Sequence, residues 1–303
     1  MAIMDVYLSN IAAAVYGSEM RSNIYNALSE MAAGVDDVVA AVEAFQAAMP
    51  PLGDVDIVAG VVDGTIVNAT ASVSNVRFYA FAHCESLKTV DLPSATMISR
   101  SAFWCCYSLE TANLPAALTI GSNAFAYCSS LSSVSIPAVT VIESNAFANC
   151  ESLKTIDLPA VSSLALRAFE FCTSLSSVSL PAVISLSNFV FDECALTSIY
   201  LPSAEYIGSS AFYSCTSLAT VSCPAAKSIG SYAFSGCVSL ESAYFTGESV
   251  PSIGMSIFVN TPIANSTYLG YYGSIYVLSS LVSAFKSATR WSVYADRITA
   301  YEE

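Results

Sequence analysis

His83 is the only histidine in the chain, so any serine or cysteine nucleophile activated by an imidazole would have to be assembled around it. The residues aligned with it in later copies of the same segment are Cys105, Tyr127, Asn149 and Phe171, which share no chemistry. His83 is therefore expected on a surface turn. Carboxylates come next. Asp91 and Asp157 hold the same place in a recurring segment but lie three copies apart, which at ~4.8 Å per strand spacing is roughly 14 Å, too wide for the acid pairs of glycosidases. Asp192 and Glu193 are adjacent but solitary. Asp54, Asp56 and Asp63 do not complete a calcium loop and read as solvated turn carboxylates. Neither a glycine-rich phosphate loop nor a metal-ligand cluster is present. The sequence thus predicts a non-catalytic chain without a cofactor.

Cysteine is the other reactive type, and its placement is regular. Eight of the ten cysteines, Cys84, Cys106, Cys128, Cys150, Cys172, Cys194, Cys215 and Cys237, fall once in each copy of a repeated segment. In a stack of repeats such residues lie on their own copies and behave as small buried hydrophobes. Disulfides between neighbouring turns are the alternative; zinc fits less well with so little histidine. Free thiols point to a reducing compartment during folding.

The repeat itself is plain when Tyr79-Ala80-Phe81-Ala82-His83-Cys84-Glu85-Ser86-Leu87-Lys88-Thr89-Val90-Asp91-Leu92-Pro93 is set beside Asn145-Ala146-Phe147-Ala148-Asn149-Cys150-Glu151-Ser152-Leu153-Lys154-Thr155-Ile156-Asp157-Leu158-Pro159. Phenylalanines at 81, 103, 125, 147, 169, 191, 212 and 234 set a step of 22 residues, with one step of 21 between Phe191 and Phe212. A fixed short period is the mark of a solenoid. In each copy the alternation Val90-Asp91-Leu92 predicts a short half-buried strand, ended by Pro93. Isolated copies cannot hold themselves: about five buried apolar side chains contribute on the order of 10 kcal/mol, against at least roughly 22 kcal/mol for ordering 22 residues.

The pattern Ala-Phe-x-x-Cys-x-Ser-Leu-x-x-Val-x-Leu-Pro resembles the bacterial BspA-like class of leucine-rich repeats. That resemblance implies an α+β leucine-rich repeat solenoid, with short parallel strands, turns or short helices and about 22 residues per repeat. It implies binding but no particular ligand. The outward strand position reads Asp91, Asn113, Ser135, Asp157, Ser179, Tyr200, Ser222 and Tyr244, and two residues earlier a Ser/Thr column runs from Thr89 to Ser242. The Ser/Thr column reads as a structural hydroxyl ladder. The variable column makes Asp91, Asn113, Asp157, Tyr200 and Tyr244 the candidate ligand-binding residues. Tyr200, Tyr206, Tyr213, Tyr232 and Tyr244 crowd the last repeats, and an aromatic, hydroxyl-rich surface suits a glycan or a protein.

Residues 1–50 read as a helical segment for attachment or oligomerisation. Ile24, Leu28, Met31, Val35, Val38, Val42, Phe45 and Met49 follow steps of 4, 3, 4, 3, 4, 3 and 4, an unbroken heptad seam of eight apolar positions. A period of 3.5 held this long predicts a coiled coil, with the branched valines favouring a homo-trimer; an amphipathic helix packed on its own domain is the alternative. Ala14 to Leu28, with Tyr16-Gly17-Ser18-Glu19-Met20-Arg21, resembles the opening of baseplate and tail-fibre proteins of tailed bacteriophages. This implies virion tail or baseplate partners and a distal domain presented to a bacterial surface. A bacterial cell-surface adhesin or a protein-binding scaffold is the alternative reading.

Residues 51–75 read as a connector, with a hairpin about Asp63-Gly64 and a capping turn; 76–247 form the solenoid; 248–303 hold a degenerate repeat and a C-terminal cap. Within the cap, Ile275-Tyr276-Val277 reads as a last strand, and Ser279 to Ser287 and Ser292 to Tyr301 as helices. Leu281-Val282, Phe285-Lys286 and Trp291 resemble the family's closing segment, with Leu278 where proline is usual. The net charge of −14, from 24 acids and 10 bases, disfavours nucleic acid and anionic membrane surfaces. Met1 to Leu8 lacks a basic stretch and carries Asp5, so no secretory signal is read there. Nor does any run of about 20 apolar residues predict membrane insertion. Sedimentation of the full chain should show a trimer that Val38→Asp dissolves into folded monomers; a monomeric wild type would refute the heptad seam.

Overall fold

The computed structural model describes residues 68–70, 74–264 and 272–302, with side chains from residue 74 onward. The eight positions of the heptad seam, the phage-like stretch and the Asp54, Asp56 and Asp63 group lie outside the described residues. The described part is a β-solenoid of about ten turns with few helices.

Each turn begins with the predicted strand. Thr89–Asp91, Thr111–Asn113 and Ser133–Ser135 pair in parallel, rung on rung, with Val90 and Ala112 turned inward. Proline follows and ends the strand, since it has no N–H to donate. The ladder reaches back to Asn68–Thr70, which pairs with Thr89–Asp91, inside the segment read as connector. This long-strand face is not one continuous sheet. It divides into runs of four, two and five strands, interrupted after Ser133–Ser135 and after Ser177–Ser179. Val134 and Val178, the central residues at the two interruptions, are only partly buried.

A second ladder accompanies the first. Two-residue strands, from Asn75–Val76 to Ser252–Ile253, build an unbroken nine-stranded parallel sheet. Its inward residues are Val76, Ile98, Ile120, Ile142, Leu164, Leu186, Ile207, Ile229 and Ile253. Sequence alternation does not reveal these strands because two residues are too few to show a period.

The third side of each turn carries the phenylalanine. Phe81 N–H donates to Ala102 O at 2.7 Å, and the N–H groups of Tyr79 and His83 reach Arg100 O and Trp104 O in the same next turn. The intervening Ala80 and Ala82 instead bond locally to Arg77 O and Tyr79 O. This alternation of inter-turn and local bonds requires left-handed backbone two residues before and two after the phenylalanine, as at Tyr79 (φ 57°) and His83 (φ 60°). The pattern recurs in every turn, and glycine takes it once, at Gly236. Elsewhere ordinary residues accept a cost of roughly 1 kcal/mol each, offset by the hydrogen bonds made. The column of His83, Cys105, Tyr127, Asn149 and Phe171, which shares no chemistry, therefore shares a backbone conformation.

Inside, Phe81, Phe103, Phe125, Phe147, Phe169, Phe191, Phe212, Phe234 and Phe258 form one stack, with centroids 4.9–5.7 Å apart and planes within 17° of parallel. The 21-residue step leaves this stack intact, with Phe191 and Phe212 at 5.4 Å. Beside it run the column cysteines; all ten cysteines of the chain are buried and none is in a disulfide. From Cys106 to Cys237 each column thiol donates to the carbonyl of the phenylalanine one turn back, at 2.9–3.2 Å. Of the turns or short helices expected, the repeats contain turns, so the stack is all-β where an α+β solenoid was implied.

The C-terminal end closes it. Ser274–Val277 pairs with Ser242–Phe245 and is followed by a 3-10 turn at Ser279–Leu281, a helix at Val282–Ser287 and a second 3-10 helix at Ser292–Arg297. Where a helix to residue 301 was expected, Ile298–Ala300 instead adds a final strand beside Ser274–Val277. An unpaired sheet edge favours strand addition over a longer helix. Trp291 covers the end of the core: its indole N–H donates to Pro251 O at 2.7 Å, and its ring meets Phe245 and Phe285 edge-on. Leu278 has φ −56°, the value a proline would hold, so the local turn survives the substitution.

Burial pushes the thiols of Cys106, Cys150, Cys194 and Cys215 well above their ordinary range, and that of Cys237 up to about 12. Thiol titration of the native chain should find the column cysteines unreactive, and all ten should react after unfolding without oxidants. Fewer thiols on unfolding would establish disulfides.

Candidate functional site

The long-strand face places the candidate residues in three separate runs. Asp91 and Asn113 stand on consecutive rungs of the first, and Asn113 Nδ2 donates to Asp91 Oδ1 at 2.8 Å. Asp157 belongs to the two-stranded run, opposite Ser179. Tyr200 and Tyr244 belong to the third, separated by Ser222. The structure therefore unites the two tyrosines on one sheet and leaves the Asp and Asn positions on others. All five project outward; Tyr200 is 63% exposed and Tyr244 about half-buried.

Two further aromatics complete the tyrosine group. Tyr276 lies opposite Tyr244, with rings stacked at 4.7 Å and 12°. Tyr301 meets Tyr244 edge-on at 5.8 Å. The sequence predicts Ile275-Tyr276-Val277 as a last strand but leaves Tyr276 out of this column, although alternation within Ser274–Val277 is the signal that assigns it there. Tyr301 had no such signal, because the segment before it reads as helix. Conversely, the crowding of tyrosines along the sequence does not make one patch: Tyr206 lies on the short-strand ladder, and Tyr213 and Tyr232 follow and precede phenylalanines on the third side. Beside the Ser/Thr column that runs from Thr89 to Ser242, Ser132, Ser176 and Thr197, just before the strands, donate to backbone carbonyls one turn back.

His83 is half-buried and packs edge-on against Trp104 at 4.7 Å, in the turn where it was expected. Asp192 is not solitary. Stacking sets it one turn from Glu170, each 8% exposed, with Arg167 bridging to Glu170 at 3.5 Å and lying over the Phe189 ring at 5.0 Å. Asp192 Oδ1 is buried without a hydrogen-bond partner. Burial first, then repulsion from Glu170 and Glu193, pushes its carboxyl up to about 7 against the opposing pull of Arg167. Burial likewise raises Glu170, with Arg167 opposing and Glu193 adding. Such a carboxyl can exchange protons near neutrality, but its side chain is withdrawn from the surface where a substrate would sit.

Comparison with known proteins places the repeat. The profile of the BspA type leucine rich repeat region matches six copies, over residues 63–165 and 140–265. Among curated proteins none matches significantly. Among solved structures, a leucine rich cell surface protein from Faecalibacterium prausnitzii A2-165 is 25% identical, covering 72% of this chain and 80% of its own, with a TM-score of 0.47. The Treponema pallidum leucine rich repeat protein TpLRR is 24% identical, covering 64% and 81%, with a TM-score of 0.43. The resemblance of Ala14 to Leu28 to phage baseplate and tail-fibre proteins, and with it the virion location, finds no support in these comparisons. Among the described residues, no helix is long and apolar enough to cross a membrane.

In the unfolded chain the Asp192 carboxyl ionises near 3.8 and in the folded chain near 7, so its stabilising contribution is complete below about pH 4 and is lost as pH rises through 7. Asp192→Asn should match wild type at pH 4 and exceed it at pH 8 by on the order of 4 kcal/mol. Melting curves that stay parallel across this range would show that the carboxyl titrates normally.

Proposed function

The chain belongs to the BspA-type leucine-rich repeat family, and from that premise we propose that it is a non-catalytic binding protein of the bacterial cell surface, acting as an adhesin or protein-binding scaffold. The long-strand face is its binding surface. One observation carries this reading: the outward strand position varies in chemistry from turn to turn on a stack whose interior repeats, with Asp91 and Asn113 on the first run of strands and Tyr200, Tyr244 and Tyr276 aligned on the last. A scaffold under purely structural demands would repeat one residue type there, as it does with phenylalanine and cysteine inside.

The tyrosine end is the stronger anchor. Tyrosine offers a large amphipathic surface at small entropic cost, which is why it concentrates binding energy at interfaces. The Asp91–Asn113 pair already satisfies part of its own hydrogen-bonding capacity, so it serves better for selectivity than for affinity. The partner is a glycan or protein of a cell surface. The net charge of −14 favours partners that are not strongly acidic.

Tyr200→Ala combined with Tyr244→Ala should weaken binding of the purified chain to whole bacterial cells, or to their extracted surface glycans and proteins, by roughly tenfold or more, the loss typical of interface hot spots. Both positions lie outside the core, so the melting temperature should change little. Unchanged binding by the double variant would place the binding surface on another side of the solenoid.

A further inference from the structure

The tyrosine column has a rung without a ring. Along the five-stranded run the outward position reads Tyr200, Ser222, Tyr244 and Tyr276 in direct register. Tyr244 and Tyr276 show how rings fill this column: one per rung, faces parallel, 4.7 Å apart. Tyr301 meets Tyr244 edge-on at 90°. Tyr200 stands two rungs from Tyr244, and the rung between them carries only Ser222, whose side chain is too short to rise between the rings. At ~4.8 Å per rung, a Tyr200 ring set parallel to that of Tyr244 leaves roughly 9.6 Å between the two planes, the thickness of one further ring with a face to each neighbour.

We propose that this vacant rung is a slot for a neutral pyranose unit of a surface glycan. The inference rests on the long-strand face being the binding face and names the ligand class that face would take. A pyranose presents C–H groups above and below its ring, which suit the electron-rich faces of the two tyrosines, and directs its hydroxyls outward around its rim. The surrounding side chains on the same face supply matching groups: Ser222 at the floor, and Ser198, Thr220 and Ser242 two residues back along the three strands. All are hydroxyls, able both to donate and to accept. An aromatic side chain from a partner protein would fill the same space, but its ring would leave the hydroxyls of Ser198, Thr220, Ser222 and Ser242 without the partners that the rim of a sugar supplies. Glu241, exposed and immediately before the strand Ser242–Phe245, is an acidic neighbour of these strands and disfavours anionic sugars.

Isothermal calorimetry of the full chain with neutral oligosaccharides tests the slot, using oligomers of N-acetylglucosamine, glucose, mannose and galactose, beside a phenylalanine-containing peptide. At least one sugar series should bind saturably. Ser222→Tyr fills the rung with a ring and should cut that binding by tenfold or more while leaving the melting temperature unchanged or higher; Tyr200→Ala should cut it similarly. The slot is overturned if no sugar series binds, if Ser222→Tyr keeps full affinity, or if the peptide binds and the sugars do not. Adhesion to cells separates this inference from the reading beneath it. Adhesion lost in Tyr200→Ala with Tyr244→Ala but intact in Ser222→Tyr removes the slot and keeps the face. Adhesion missing in the wild type removes the face itself.

Discussion

Backbone hydrogen bonding from each turn to the next sets the spacing to which everything else conforms. On the third side, where no regular strand exists, the N–H groups of Tyr79, Phe81 and His83 still find carbonyls in the following turn, and they do so only because the chain adopts left-handed backbone on both sides of the phenylalanine. That requirement fixes the distance between turns, and the phenylalanine rings adopt it as their stacking distance. The core is therefore a consequence of backbone register as much as a cause of it. Between Phe191 and Phe212, across the one shortened repeat, the ring stack and the short-strand ladder continue. The long-strand ladder is the part that yields: it is interrupted between Ser177–Ser179 and Ser198–Tyr200, and also at a full 22-residue step between Ser133–Ser135 and Thr155–Asp157.

Strict register turns single residue types into columns, and the chemistry of a column depends on what one rung spacing does to it. Thiols tolerate close stacking because they are neutral and each has a phenylalanine carbonyl to bond. Carboxylates do not. Glu170 and Asp192 occupy consecutive places in a column that is alanine in several other turns, and the result is a raised carboxyl and an unsatisfied oxygen. Tyrosines tolerate it well on the outside, where Tyr244 and Tyr276 share faces and both remain partly exposed. Inert interior, costly acid pair and aromatic surface all follow from the same spacing.

Much of the candidate surface was legible in advance because the strand alternation sorts residues inward and outward without reference to anything distant. Asp91, Asn113, Asp157, Tyr200 and Tyr244 all project outward. The grouping was not legible. Interruptions in the long-strand face separate Asp157 from both ends, Tyr301 arrives from beyond the cap, and Tyr206 is carried to a different ladder. Each depends on where a neighbouring turn sits, which no single repeat encodes.

The sequence by itself determined the period, the phenylalanine and cysteine columns and the strand that proline ends, because each of these is a local pattern repeated until it can be read from composition and spacing alone. Only the tertiary structure decided that a second ladder exists, that the chemically mixed column through His83 is held together by backbone conformation, and that Glu170 lies against Asp192 while Tyr244 lies against Tyr276. The physical reason is one of range. Two-residue strands and left-handed turns carry no periodic signature, and contacts between turns are made by residues more than twenty apart, whose meeting depends on the stack having already formed.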